Sequence, residues 1–300
     1  MSLRGPGVSV SVSVSVSVSV SVSVSVSVSV SVSVNGARTA ADGTAVPLSP
    51  QELVESALGA VAAGAGEVLV HPRTPCGRES LSPRVVGPVL EALRGTGVSV
   101  PLSVSVGIAA EPDPAGRLER VRSWTVLPDR AVVHFAEPGA EELAEALLAR
   151  GVGVDAVVPL GGGAGTGTGP EPWTEWGPGL ASEREPEARP DRQPEPLARF
   201  LAWPVRDPAR LRLALELAAA DPALVAGLRW LPPVPLLLFG RDAAAWPVLR
   251  LAARCGAAAR TGVGDVLHLP DGRAARSNAE LVAAAREVVA AQGAATAWSR

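Results

Sequence analysis

The chain has 300 residues, is 47% hydrophobic and carries a formal net charge of −3. That is enough apolar material for one large barrel or two smaller domains, and the near-balanced charge argues against a nucleic-acid or acidic-membrane partner. All 27 basic residues are arginine, which excludes Schiff-base aldolase chemistry, a pyridoxal phosphate aldimine and a P-loop lysine.

Val8–Val34 alternates strictly between valine and serine. A period of two is a strand signal, with one valine face and one serine face. Extended, these 27 residues would run roughly 90 Å at about 3.3 Å each, far beyond a domain strand. Every two-residue slip of register is also equivalent. Only the last residues, near Val30–Val34, are therefore expected as a native first strand. Residues 1–29 read as a low-complexity repeat rather than a domain. No continuous apolar leader is present, no apolar run is long enough to span a bilayer, and Cys76 and Cys255 are too few for a disulfide framework. A reducing cytoplasm is expected.

Asn35-Gly36 leaves the first strand. Ser49-Pro50-Gln51-Glu52 has the capping-box pattern with proline at the first helical position, and opens a helix over Pro50–Ala63. A strand at Glu67–His71 follows, then a helix near Pro83–Arg94 that Gly87-Pro88 is expected to kink. A third strand covers Val100–Val106. Asp113-Pro114 starts a helix ending near Trp124. Strand Ala131–Phe135, helix Ala140–Ala149 and strand Val152–Val158 continue the alternation. Residues 159–196 break it: GGGAGTGTG passes into a Pro/Glu/Arg-rich stretch read as a disordered loop. Its glycines lack the lysine and spacing of a phosphate loop. Leu211–Leu217 suits a strand or a helix, and Asp221-Pro222 starts another helix. Val234–Phe239 is a strand, Ala244–Cys255 a helix, Ala258–Gly262 a weak strand and Asn278–Ala291 a long final helix. Eight β/α units predict a single TIM (β/α)8 barrel over residues 30–300, with a doubly wound sheet as the alternative.

Chemistry concentrates in Val68–Leu81, VLVHPRTPCGRESL. A short strand delivers His71 to its C-terminal end, where parallel β/α proteins bind ligands. Residue 69 lies two positions earlier and shares that face; it is Leu69. His71 before Pro72 also suits a strand cap bonded to a backbone carbonyl. Arg73 and Arg78 suit ordinary loop positions. Arg260 and Asp265 suit a rim ion pair as well as a site. His134 and Ala136 alternate, so both are expected at the barrel mouth. His268 belongs to the loop before the last helix.

In order along the chain, Asn35-Gly36-Ala37-Arg38, Glu111-Pro112-Asp113-Pro114, WTVLPD at Trp124–Asp129, Ala245-Trp246-Pro247, HLPDG at His268–Gly272 and Ser277–Val282 accompany the His71 stretch. Together they resemble the β-keto acid cleavage enzyme family, which includes the 3-keto-5-aminohexanoate cleavage enzymes. The resemblance covers most of residues 35–158 and 236–290. It implies a barrel enzyme that uses zinc and acetyl-CoA to convert a β-keto acid into acetoacetate and a new CoA ester. It also implies a homo-oligomer with small-molecule substrates. The family holds its metal with two histidines after strand two and a glutamate after strand eight. Carried over, these positions are Leu69, His71 and Gly264, so His71 is the one ligand retained. Arg260 corresponds to a carboxylate clamp, Asp265 to a candidate general base and Ser105 to a small hydroxyl ending strand three. His134 stands where an asparagine is expected, Ala136 where close relatives often carry histidine. Phe239 and Arg241 stand where histidine and glutamate are common. The resemblance leaves two functions open: a metal-dependent, acyl-transferring C–C cleavage enzyme, or a non-catalytic paralogue or decayed product that keeps the barrel.

Overall fold

The computed structural model describes residues 28–43, 45–160, 195–204, 207, 209–223 and 234–297. Eight strands close into a parallel barrel in sequential order: β1 (Val30–Ser33), β2 (Glu67–Val70), β3 (Leu102–Ser105), β4 (Arg130–His134), β5 (Gly153–Leu160), β6 (Leu211–Leu217), β7 (Leu236–Phe239) and β8 (Ala258–Thr261), with β8 pairing back onto β1. Around it lie α1 (Pro50–Ala62), α2 (Pro83–Gly95), α3 (Pro114–Arg122), α4 (Ala140–Ala149), α5 (Glu195–Ala202), α6 (Ala245–Cys255) and α7 (Asn278–Ala297). This is the TIM barrel; the doubly wound alternative fails because the sheet has no edge.

Local chemistry starts the helices where expected. Ser49 Oγ accepts from the Glu52 amide at 3.2 Å, and Glu52 Oε2 accepts from the Ser49 amide at 2.9 Å. Asp113 Oδ2 caps α3 by accepting from the Gly116 amide at 2.8 Å. The ambiguous Leu211–Leu217 is a strand, because both faces are enclosed: Leu211, Leu213, Leu215 and Leu217 face the helices while Ala214 faces the barrel interior. Strand two stops at Val70, one residue before His71. β4 ends at His134, and Ala136 lies exposed in the turn after it rather than on the strand. Pro159 and Leu160 belong to β5 and Glu195-Pro196 to α5, which narrows the expected loop to 161–194, outside the described residues. The repeat at 1–27 and most of the helix expected after Asp221-Pro222 also lie outside them.

The Val/Ser alternation finds its use in β1. Val30, Val32 and Val34 pack outward into the main core between strands and helices. Ser31 and Ser33 turn inward, 3% and 1% exposed. The serine face goes in because this part of the interior is polar. Arg212 Nη2 donates to Glu67 Oε1 at 2.8 Å and to Asp155 Oδ2 at 2.5 Å. Arg130 donates to Asp155 Oδ1 at 2.6 Å, and Ser103 Oγ to Glu67 Oε1 at 3.0 Å. Ser31, Glu67, Asp155, Arg212 and Arg260 line a cavity of about 10 Å³, the size of one water, with apolar side chains closing the rest. Buried charges of this kind persist only when paired, as they are here. Above them, Leu69, Val132, Val157, Ala214, Leu237 and Phe239 form an apolar layer that fills the barrel.

Candidate functional site

The C-terminal ends of the strands form a polar mouth above that apolar layer. His71 comes directly after β2. Its backbone, not its ring, is anchored: the Asn35 side-chain amide donates to the His71 carbonyl and accepts from its amide, both at 2.9 Å. This corrects the expectation of an imidazole bonded to a backbone carbonyl. The His71 Nδ1 atom is buried without a hydrogen-bond partner. Burial holds the His71 pKa well below its ordinary value, and Arg241, Arg260, Arg73 and His134 push it the same way. His134, ending β4, is also lowered by burial, against the pull of Glu137 and Glu216.

Arg73 is not an ordinary loop residue. It is 8% exposed, donates to the Gly77 carbonyl at 2.9 Å and the Gly36 carbonyl at 2.8 Å, and lies 3.6 Å from Glu79. Burial raises the Glu79 pKa, with Arg73 opposing. Arg260, on β8, forms a two-pronged pair with Asp265: Nε to Oδ2 at 2.9 Å and Nη2 to Oδ1 at 2.7 Å. The Arg260 guanidinium also lies 3.5 Å above the Phe239 ring centre. Arg241, just after β7, donates through Nε to Glu216 Oε1 at 2.7 Å. Burial works against ionising Glu216, but Arg241 and His134 outweigh it and hold that carboxyl below its usual range. Ser105 ends β3 and is 4% exposed. His268 lies in the loop before α7, where its carbonyl accepts from Trp246 Nε1 at 2.8 Å.

The mouth therefore gathers His71, His134, Arg241, Arg260 and Asp265. It does not gather a metal set. Leu69 belongs to the apolar layer and is 3% exposed. Gly264 offers no donor, and its place is filled: a Cβ there would overlap Ser33 Oγ and lie 2.8 Å from the Gly36 nitrogen. Gly36 needs its own lack of a side chain, with φ of +54° and Gly264 Cα in the way of any Cβ at 2.5 Å. Among the described residues no three histidine, cysteine, aspartate or glutamate groups converge to hold an ion. The donors present do not fit a zinc ion, because one imidazole falls short of the three or four protein ligands such a site needs. His134 does not complete the set.

Sequence reasoning missed the Asn35 clamp on His71, the Gly36–Gly264 contact and the charged inner layer. The first two had a signal in Asn35-Gly36, since an amide beside a glycine at a strand exit suits a strained turn. The third was visible as inward-position charges at Glu67, Asp155 and Arg212 in otherwise apolar strands.

The fold and the placement of the site define a TIM barrel whose working face is the C-terminal mouth. Among solved structures it is similar to ObcA in ternary complex with a C4-CoA adduct and oxalate (TM-score 0.52, 13% identity, covering 83% of this chain and 64% of that one). Apo ObcA matches equally, at 0.52 and 13% over 83% of this chain and 62% of that one. The chain thus spans under two thirds of those ObcA chains. The homocysteine methyltransferase MmuM from Escherichia coli reaches a TM-score of 0.50 at 16% identity, over 87% of this chain and 96% of that one. These likenesses show the fold. Comparison with curated proteins returns no match. The family model for beta-keto acid cleavage enzyme matches residues 27–145 and 214–299, more than half of the chain. The chain belongs to the beta-keto acid cleavage enzyme family.

Proposed function

We propose that this chain is a family barrel that keeps a mouth for small β-keto acids and has lost the zinc-dependent acyl transfer. The family reaction would combine a β-keto acid with acetyl-CoA to give acetoacetate and a CoA ester, with zinc activating a carbonyl. Of the three family ligand positions only His71 keeps a metal-binding side chain, and among the described residues no three metal-ligating groups converge. The observation that carries the reading is Gly264, whose missing side chain is replaced by direct packing against Ser33 and Gly36. A lost ligand on an open loop would leave room for substitution; this one does not. Retention of Arg260, Asp265 and Ser105 supports an acid-facing mouth, as does the likeness to ObcA, described with a CoA adduct and oxalate. The mouth carboxylates Glu79, Glu216 and Asp265 are each paired with an arginine. No helix among the described residues is long and apolar enough to cross a membrane, and a cytoplasmic location suits the acetyl-CoA-linked family. The test is acetoacetate formation from acetyl-CoA and a panel of short β-keto acids, with zinc supplied in excess. The reading expects no product above the rate without protein. Zinc-dependent turnover abolished by His71→Ala contradicts it.

A further inference from the structure

Three arginines reach the mouth, and they differ in what their nitrogens already hold. Arg73 is committed to two backbone carbonyls and Glu79. Arg260 spends Nε and Nη2 on both oxygens of Asp265. Arg241 spends only Nε, on Glu216. Its two terminal nitrogens have no partner among the described residues, and 35% of its side-chain surface is exposed. It stands within electrostatic reach of His71, Glu79, His134, Glu216 and Asp265.

The backbone next to it is fixed at some cost. Asp242 is the one non-glycine residue with positive φ, at +47°, among the described residues. That conformation is unfavourable for a residue with a side chain and persists only where surroundings impose it. Here they do: the Asp242 amide donates to the Asp265 carbonyl at 2.8 Å, and Arg38 pairs with the Asp242 carboxylate. Gly240 adds a tight approach, since a Cβ there would meet the Ala244 carbonyl oxygen at 2.7 Å. The loop after β7 is thus held from both sides of Arg241, and its open fork is aimed rather than free-swinging.

We propose that Arg241 is the carboxylate receptor of this mouth and binds a short 3-oxo acid through its two terminal nitrogens. A planar guanidinium with both Nη groups open matches a carboxylate in the two-pronged geometry. Leu69, Val132 and Phe239 of the apolar layer carry no hydrogen-bonding side-chain group that would compete with Arg241 for the carboxylate. A fixed guanidinium then supplies the positive charge that the missing metal would have supplied. The choice of a 3-oxo acid rests on the β-keto acid reading of the mouth, whereas the receptor role rests on Arg241 itself.

Calorimetric titration of the full chain at low ionic strength tests this. The probes are acetoacetate, butyrate (a carboxylate without the keto oxygen) and methyl acetoacetate (a ketone without the charge). Wild type is expected to bind acetoacetate at least tenfold tighter than methyl acetoacetate. Arg241→Gln, with an unchanged thermal melt, is expected to lose about tenfold or more for acetoacetate. Glu216→Gln removes the negative charge that competes for Arg241 and is expected to tighten acetoacetate binding, so the idea stays testable if Arg241→Gln misfolds; binding that Glu216→Gln leaves unchanged counts against it. Butyrate binding as tight as acetoacetate, and lost with Arg241, keeps the receptor but removes the β-keto acid reading. Acetoacetate binding that Arg241→Gln leaves intact, or no carboxylate binding by wild type, overturns the proposal.

Discussion

At the scale of single residues, Gly264 decides most. Its neighbours close on it so tightly that even one carbon has no place: a Cβ would overlap Ser33 Oγ and lie 2.9 Å from Gly36 Cα. Overpacking of this kind costs about 1–3 kcal/mol. Gly264→Ala is therefore expected to lower stability by about that much in urea melts at unchanged m-value, and Gly264→Glu by more. The double change Leu69→His with Gly264→Glu, which the resemblance alone offers as a repair, is expected to strain the first and last β/α loops instead of rebuilding a site. The two imidazoles give a second prediction. Burial lowers the folded pKa of His71 and His134 below the ordinary 6.5. Between folded and unfolded values the unfolded chain then binds more protons. Their stabilising contribution is full above about pH 6.5 and falls away as pH drops below it. Stability measured from pH 7.5 to 5.5 should fall in wild type and fall less in the double variant His71→Asn with His134→Asn. An unchanged pH slope in that variant would rule out the imidazoles as its source. Of these residues, His71, Leu69 and Gly264 were legible as letters in the sequence. The packing around Gly264 was not, because it joins residues 33, 36 and 264, which no local pattern connects.

At the scale of elements, alternation located every described strand but Leu211–Leu217, and α1 and α3 began where Ser49 and Asp113 predicted. Periodicity left Leu211–Leu217 open, since enclosure on both faces erases the difference between a buried strand and a buried helix. Alternation carried the fourth strand's pattern on to Ala136, whereas β4 ends at His134 and Ala136 lies in the turn after it. The Val/Ser repeat is the clearest case of an element defined by its surroundings. Its sequence allows any two-residue register, and the next two residues along the chain fix the choice: Asn35 grips His71, and Gly36 packs on Gly264. The barrel needs only the residues that fill β1 and reach Asn35. Deleting residues 1–27 is therefore expected to leave the thermal midpoint of the barrel within a few degrees of the full chain. A large drop would show that the repeat packs on the domain.

At the scale of the whole molecule, the barrel separates stability from chemistry. The lower interior is closed by the Glu67–Arg212–Asp155–Arg130 network and the apolar layer above it. Those layers close the sheet below the mouth, so the barrel does not depend on any one polar group at the mouth. The mouth itself presents guanidiniums held by fixed partners: Arg73 on the Gly36 and Gly77 carbonyls, Arg241 on Glu216 and Arg260 on Asp265. The most direct test is zinc titration of the full-length chain by calorimetry, with elemental analysis of the purified protein. The account predicts no stoichiometric zinc and no change on replacing His71 with alanine. About one tightly held zinc per chain, lost in His71→Ala, would contradict it.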